Sequence, residues 1–449
     1  MRNKEVTVRE VALEALLSIE KNQAYSHLLL NSLIKKYDVR EKDKGLLTEL
    51  VYGTLQNKRR LDFYLRAFIK KKKVEQWVEA ILLLSLYQMK FLDRIPDRAV
   101  IHEAVELAKK RGHKGIASFV NGVLRSVQRE GMPPLSSIEN DAERLAVETS
   151  HPLWLINRWI HHFGFEEAKE IAFANLQYPK QTARINRLKT TREEIETLLK
   201  EEQVTVSFGE IVPHLAIEAE KGNLANTNAF QDGMFTIQDE SSMLVGLALN
   251  VKEGDIVLDS CAAPGGKTTH VAEQLNNTGV VHAFDLHEHK IKLIDQQASR
   301  LGLTNIEAKN HDARKLSDLF SPETFDCILV DAPCTGLGVI RRKPDIKYSK
   351  TEHDIVQLAR IQQEILTSVA PLLKKGGTLV YSTCTIDKEE NHRVIEHFLT
   401  EHEEFFKDEK LVDRLPNKVK PFVNKGELQM LPHLFGTDGF YIASLRKKV

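Results

Sequence analysis

Two cysteines fifty residues apart, Cys334 and Cys384, stand where covalent chemistry could be done. The stretch Ile328-Leu329-Val330-Asp331-Ala332-Pro333-Cys334-Thr335-Gly336 closes a short apolar run with an acid, a proline and a thiol. Val380-Tyr381-Ser382-Thr383-Cys384-Thr385 closes a second run with another thiol. If both runs are strands of one sheet, their ends face one cleft, and the two sulfurs can meet the same substrate. Cys261 and Cys327 have other settings: Cys327 falls mid-strand and reads as a small core residue, Cys261 as a loop residue for packing or backbone contact with a ligand. The four cysteines match no zinc spacing, so no metal is expected, and free thiols are expected over disulfides.

A ligand loop precedes them. Val257-Leu258-Asp259-Ser260-Cys261-Ala262-Ala263-Pro264-Gly265-Gly266-Lys267-Thr268-Thr269 runs from strand through small residues into helix. Glycine there lets backbone approach a ligand closely. A dinucleotide site wants G-x-G-x-x-G, which is absent. A phosphate-binding loop wants G-x-x-x-x-G-K-[ST]; Gly266-Lys267-Thr268 supplies its end, but Cys261 occupies the place of its first glycine. The third reading is a loop for S-adenosylmethionine, passing the methionine moiety after a strand that ends in an acid. That reading also wants an acid after the second strand to accept from the ribose hydroxyls, and Asp285 stands 26 residues beyond Asp259. Asp312, after the next short run, could accept from the adenine amine. Helix capping is the plain alternative for Asp285 and Asp312; the three acids together favour the methyl donor.

A sulfonium methyl and a pair of thiols suit the methylation of a pyrimidine. Cytosine C5 is a poor nucleophile, and a thiolate that adds to C6 makes C5 electron-rich. A carboxyl group at N3 stabilises the adduct, and Asp331 is placed for that task. A base must then take the C5 proton before the first sulfur leaves, and the second thiol or its surroundings can assist.

The elements that must position these residues follow from pattern. At 449 residues, two or three domains are expected. From about Phe235 onward, apolar runs (Ile256–Asp259, Val280–Asp285, Cys327–Asp331, Thr378–Ser382) alternate with helical segments (Thr268–Leu275, His289–Leu301, Asp354–Ala370). Alternation of this kind predicts an open, mostly parallel, doubly wound Rossmann-like α/β sheet, whose ligands bind beyond the carboxyl ends of the strands. Asp438-Gly439-Phe440 predicts a turn into a last strand, and Gln238–Ser242 a cap before an apolar helix. Residues 1–130 show helical periodicity throughout, with capping-box spacing at Thr7 and Glu10, and with Asp97 as a second cap. Helices are expected at Ser26–Lys36, Lys44–Leu55, Arg60–Lys70, Glu75–Met89, Asp97–Leu107 and Phe119–Val127. Gly131-Met132-Pro133-Pro134 breaks the helical pattern. Between lies a mixed stretch with a helical start (Pro152–Phe163), an alternating run (Thr182–Leu188) and a charged helix (Thr191–Glu202), which predicts a small α/β, RRM-like module. The division expected is therefore 1–135, 136–235 and 236–449.

Net charge is zero overall, yet residues 1–140 carry 26 Lys and Arg against 17 Asp and Glu. A basic helical domain suits a polyanion such as RNA. Lys58-Arg59-Arg60, Lys70–Lys73 and Arg341-Arg342-Lys343 are candidate phosphate contacts, solvated ends being the plain alternative. No apolar run reaches membrane-span length and the opening MRNKEVTVRE has no apolar leader, so a cytoplasmic protein is expected.

The long motifs DSCAAPGGKTTH (259–270), DAPCTGLGVIRRKPDI (331–346) and STCTIDKEEN (382–391) resemble those of the RsmB (Sun/Fmu) branch of the NOL/NOP/Sun RNA cytosine-5 methyltransferases. The resemblance implies Cys384 as nucleophile and Cys334 as the cysteine of the release step. It also implies a cofactor loop over Cys261, Ala262, Ala263, Pro264, Gly265, Gly266 and Lys267, contacts at Asp285, Asp312 and Asp331, and Lys267 orienting the base. Thr335 stands where many relatives have serine. The N-terminal helices resemble a NusB-like RNA-binding domain, which implies 16S ribosomal RNA as partner, free or in an early assembly intermediate. It implies a monomer and, by the family name, the cytosine at position 967. A second rRNA or tRNA site, or a silent RNA-binding assembly factor, is the alternative; the factor is disfavoured because both thiols are present.

Overall fold

The computed structural model describes residues 6–22, 26–69 and 73–449. Its contacts group into two units, residues 1–177 with 340–349 and residues 178–339 with 350–449.

The first unit is helical. Gln76–Phe91 buries side chains all round, from Val78, Ile81 and Leu82 to Ser85 and Gln88, which is the signature of a helix at the centre of a bundle. Helices Val8–Asn22, Glu41–Gln56, Lys58–Ile69, Asp97–Arg111 and Lys114–Glu130 pack round it. Helix Ser26–Lys36 has the predicted bounds; Glu41–Gln56, Asp97–Arg111 and Lys114–Glu130 extend their predicted cores, while Lys58–Ile69 and Gln76–Phe91 are offset by one or two residues from the expected Arg60–Lys70 and Glu75–Met89. Thr7 caps the first helix, its hydroxyl accepting from Glu10 N at 3.3 Å. Asp97 corrects an expectation: Pro96 holds the cap position, and Asp97 is the first helical residue, where its charge meets the positive end of the helix dipole. Two of the three cations at 58–60 answer to the bundle itself. Lys58 pairs with Glu20 at 2.9 Å, and Arg60 bonds the Tyr64 hydroxyl and lies over the Phe91 ring. Lys70, Lys71 and Lys72 lie outside the described residues. Helices Asp141–Glu148, Leu153–Phe163 and Phe165–Ala174 also belong to this unit. No helix among the described residues is long and apolar enough to cross a membrane.

The second unit opens with a four-stranded antiparallel sheet: β1 (Thr182–Ile185), β2 (Thr205–Phe208), β3 (Ala216–Lys221) and β4 (Phe235–Ile237), in the order β2-β3-β1-β4. Helix Arg192–Glu201 packs on it, entered through a capping box between Thr191 and Glu194. The large sheet follows. Strands β5 (Ile256–Asp259), β6 (Val280–Asp285), β7 (Ile306–Asn310), β8 (Phe325–Asp331) and β9 (Leu373–Thr383) lie parallel in the order β9-β8-β5-β6-β7. Alternate residues face opposite layers. Val257, Leu329 and Val380 pack with Met243, Leu244, Val271 and Leu301, while Leu258, Ile328, Leu379 and Tyr381 pack with Ile365, Leu366, Val394 and Phe398. With both faces covered, the strands must be continuously apolar, as these are.

The sheet is less parallel than expected. β10 (Phe405–Lys407), β11 (Val423–Asn424), β12 (Glu427–Met430) and β13 (Phe440–Lys447) all pair antiparallel, and β13 joins this half to β9. The cause is a tight hairpin: Lys425 and Gly426 both have positive φ, the geometry that a two-residue β-turn requires.

Candidate active site

The parallel order reverses between β5 and β8, and there a doubly wound sheet opens a crevice beyond its strand ends. Register brings the critical ends level, since Asp259 stands opposite Leu329 and Asp331 opposite Ser382. The loop after β5, the Cys334 loop after β8 and Cys384 after β9 therefore converge.

Asp259 ends β5 almost fully buried, at 1% exposure. One of its oxygens accepts from the Thr268 hydroxyl at 2.7 Å, and the other is buried without a close donor among the described residues. Burial, with the Asp331 charge adding to it, pushes the Asp259 carboxyl up to about 7. From Asp259 the chain turns tightly: Gly265 N donates to Ala262 O at 2.8 Å, and Gly265, with φ of +103°, admits the chain to helix Gly266–Gln274. A Cβ on Gly266 would meet no protein atom within 4 Å, so the loop borders open space there. Cys261 is half-buried, and burial raises its thiol far above the usual range, which fits a packing role.

Asp285 ends β6, 9% exposed, with one oxygen accepting from His287 N at 2.9 Å and paired with the Lys290 ammonium at 3.6 Å. Asp312 caps the short helix Ala313–Asp318, and Arg314 folds across its carboxylate at 2.7 Å. The Arg314 hydrogen bond holds the Asp312 carboxyl below the ordinary range. Capping therefore occupies part of the Asp312 carboxylate, whereas Asp285 is no helix cap: His287 holds that position before helix Glu288–Leu301.

Asp331 ends β8 between two donors: Lys267 Nζ at 2.7 Å and Ser382 Oγ at 2.8 Å. Lys267 comes from the first turn of the helix after the cofactor loop, and its ammonium lies 4.9 Å from the Phe440 ring centroid. Burial works against its charge, but Asp331, Cys384 and Asp259 together overcome it and raise Lys267 above the usual lysine value. The sulfurs of Cys334 and Cys384 are 3.4 Å apart. Its hydrogen bond to Cys384, and burial after it, drive the Cys334 thiol well above its ordinary value. Cys384, the other member of the pair, stands beside the Lys267 charge.

Several residues that shape the site had no role assigned from sequence. Gly338 N donates to Cys384 O at 2.9 Å and Gly439 N to Gly338 O at 2.8 Å; a Cβ on Gly338 would lie 2.0 Å from Gly439 O. Only glycine lets those three backbones meet. Glu390, Gln362, Tyr381 and Asn391 brace the two cysteine loops from below, and the motif STCTIDKEEN already contained two of them. Arg184, from β1, is wholly buried and grips the helix that carries Lys267; an arginine in an alternating strand carries no sequence sign of this. Elsewhere, Cys327 is a buried mid-strand residue as expected, and Asp239 caps helix Glu240–Leu249. Glu240 then accepts from the backbone N–H groups of Glu210, Ile211 and Val212. Arg341 is only 8% exposed, and Arg342 and Lys343 are half-buried, all within the helical unit. The expected run of free cations is therefore not present as such.

Comparison with known proteins agrees along the chain. A family profile described as "16S rRNA methyltransferase RsmB/F" matches residues 246–446. The NusB family matches residues 6–129, and a ferredoxin-like domain of RsmF/B-like methyltransferases matches 151–222. A "Probable ribosomal RNA small subunit methyltransferase B" from Bacillus subtilis is 57% identical over 446 residues, covering 99% of this chain and all of the relative. The "Ribosomal RNA small subunit methyltransferase B" of Pectobacterium carotovorum is 34% identical, covering 96% of each. Among solved structures, one described as PH0851 superimposes with a TM-score of 0.83 at 29% identity over 98% of both chains. NSun6 from Pyrococcus horikoshii, solved with SFG, has a TM-score of 0.59 at 25% identity, covering 66% of this chain and 98% of its own.

Proposed function

The chain belongs to the RsmB/F family of 16S ribosomal RNA methyltransferases, and from that premise we propose that it methylates C5 of a cytosine in 16S ribosomal RNA, with S-adenosylmethionine as donor and Cys384 as the covalent nucleophile. The family name points to the cytosine at position 967. One observation carries the reading: two sulfurs 3.4 Å apart at the ends of adjacent strands, with the Lys267–Asp331 pair beside them. A silent RNA-binding factor has no use for such a pair.

The residues beyond β5 and β6 fit the donor. Asp259 keeps a buried oxygen without a close donor among the described residues, suited to the ammonium of the methionine moiety. The backbone from Cys261 to Lys267 borders open space at Gly266. Asp285 would accept from the ribose hydroxyls, and Asp312 retains acceptor capacity for the adenine amine. S-adenosylmethionine, when bound, supplies an electrophilic methyl group on a sulfonium.

The chain's own residues do the rest. Cys384 attacks C6 as thiolate, its charge favoured by Lys267. Asp331 and Lys267, joined at 2.7 Å, present a proton and a positive charge to the N3 edge of the base as electrons move from C6 toward C5. Once C5 is methylated, Cys334 as thiolate takes the C5 proton, and the freed electron pair re-forms the C5–C6 double bond as the C6–S bond breaks and Cys384 departs. We further propose that residues 1–135 serve RNA binding, 136–235 connect and support, and 236–449 catalyse; the basic surplus and the NusB match support the first of these.

Methyl transfer from labelled S-adenosylmethionine to unmodified 16S RNA tests the proposal. Cys384→Ala should abolish 5-methylcytosine, and Cys334→Ala should trap a protein–RNA adduct that survives denaturant. Full activity in Cys384→Ala would overturn the mechanism.

A further inference from the structure

Behind the two sulfurs lies a buried carboxylate to which the reaction as written gives no part. Glu390 is fully buried in the turn that precedes helix His392–Glu401. One of its oxygens accepts from Thr335 N at 2.8 Å and from Gln362 Nε2 at 3.1 Å, and the other bonds the Thr335 hydroxyl. The Gln362 amide also donates to Pro333 O at 2.9 Å. Both neighbours of Cys334 in the chain, Pro333 and Thr335, are therefore tied to one carboxylate–amide pair.

The same residue reaches the other sulfur. Tyr381, three positions before Cys384 on β9, donates its hydroxyl to Glu390 O at 2.5 Å. Thr335 Oγ1 and Thr385 Oγ1 are 3.0 Å apart, which bonds the residue after Cys334 to the residue after Cys384. Asn391, next in sequence, donates to Thr385 O at 3.0 Å. Strands β8 and β9 pair only as far as Asp331 and Ser382. Beyond that point the ladder gives out, and the Gly338 N–Cys384 O bond together with these side-chain bonds sets the separation of the two cysteines.

We infer that Glu390 is a positioning residue, one that fixes Cys334 against Cys384 by binding the Pro333–Thr335 loop to the end of β9. The inference rests on the division of labour between the thiols proposed above. Glu390 touches neither sulfur, so it acts on the step that needs Cys334 in place while Cys384 is already bonded to the base. Attack by Cys384 depends on β9 and Lys267; Glu390 meets β9 through its backbone carbonyl, which accepts from Tyr381 and is kept when the side chain is replaced. A shift of about 1 Å at a reacting group can lower a rate about 100-fold, and removing the carboxylate takes the acceptor from Thr335 N–H and one of two acceptors from the Gln362 amide in a buried place. Burial, the largest influence, raises Glu390 to about 7 despite its three donors, so these bonds oppose a real desolvation cost.

The experiment is single-turnover kinetics with 16S RNA, following adduct formation and adduct resolution separately in Glu390→Ala, Glu390→Gln and Cys334→Ala. Glu390→Ala should form adduct within about threefold of wild type and resolve it about 100-fold more slowly, so that denaturant-resistant adduct accumulates. The KM for S-adenosylmethionine should stay within about threefold, because Glu390 makes no contact with the cofactor loop. Glu390→Gln keeps an oxygen for Thr335 N and should recover most of the resolution rate. If Glu390→Ala does not fold, Thr335→Val serves, removing only the hydroxyl link and slowing resolution about tenfold. A uniform loss of formation and resolution that follows a lowered melting temperature would mean an ordinary structural residue and overturn the inference. If Cys334→Ala traps adduct but neither Glu390→Ala nor Thr335→Val does, the two-thiol reading stands and this inference fails. If Cys334→Ala traps none, both fall together.

Discussion

Replacing Arg184 with methionine should destabilise the second unit and loosen the loop after β5. Arg184 is wholly buried and carries a full charge in the core between β1 and the helix after the cofactor loop. It bonds Glu273 through Nη2 at 2.8 Å and Nε at 3.1 Å, Gly266 O at 2.9 Å and Thr269 Oγ1 at 3.1 Å, and Gln238 completes the set. Methionine fills most of the volume but leaves Glu273, 9% exposed, as an uncompensated buried charge. Breaking such a pair from one side costs about 3–5 kcal/mol. For a domain of this size that lowers Tm by roughly 6–20 °C. Removing both charges in Arg184→Met/Glu273→Met should restore most of the loss, because two well-packed apolar side chains need no counter-ion. The freed Gly266 carbonyl loosens the cofactor loop, so S-adenosylmethionine should bind about five- to tenfold more weakly in both variants. Calorimetric melts of the full chain, with and without S-adenosylmethionine, read both effects. A loss under about 1 kcal/mol in the single variant, or a double variant no better than the single, would refute the reasoning.

The remaining predictions concern pH. Glu390 has its folded value raised to about 7 from an ordinary 4.5; between those values the folded chain keeps a proton that the unfolded chain has released. Its contribution to stability therefore falls as pH rises through that window, by about 1.4 kcal/mol per pH unit at most, and levels off above 7. Glu390→Gln does not titrate, so its Tm relative to wild type should rise from pH 5 to 7.5 and then stay constant; a constant difference throughout would contradict the assignment. Lys347 is the opposite case: burial holds its ammonium well below the lysine range, and among the described residues its acceptor is the neutral Gln56 O, at 2.9 Å. Folding releases its proton, so stability rises with pH toward 10. Lys347→Met should raise the melting temperature of the helical unit at neutral pH, by at least about 1 kcal/mol in stability, with a gain that shrinks as pH approaches 10.

Elements governed by local rules could be read from sequence. Helix Ser26–Lys36 and strands β5 and β6 have the predicted bounds because periodicity and flanking turns set them. Residues at strand ends were also legible, since Asp259, Asp285, Asp331 and Cys384 each follow an apolar run that only a buried strand explains. What escaped was contact between distant segments. Arg184 and Glu273 are 89 residues apart, and neither differs in local sequence from a surface residue. Arg341 sits in a run of three cations that pattern assigns to solvent, yet it is buried. The antiparallel half of the sheet was missed for a related reason: β10, β11 and β12 are two to four residues long, too short for alternation to register.

That missed half bears directly on the chemistry. β13 pairs with β9 from Thr378 to Thr383 and so flanks the strand that delivers Cys384. Its first residue, Phe440, lies under the Lys267 ammonium, and the residue before it, Gly439, bonds the Gly338 loop that bonds Cys384 O. Cys384, the proposed nucleophile, is thus held from three directions: by its own strand, by the Cys334 loop and by the turn into the last strand. A Rossmann-like sheet ending at β9 would leave an edge there, with unpaired backbone free to shift. Closing that edge with β13 lets a cysteine just past the end of a strand keep its position, and two sulfurs that belong to different loops can then be held 3.4 Å apart.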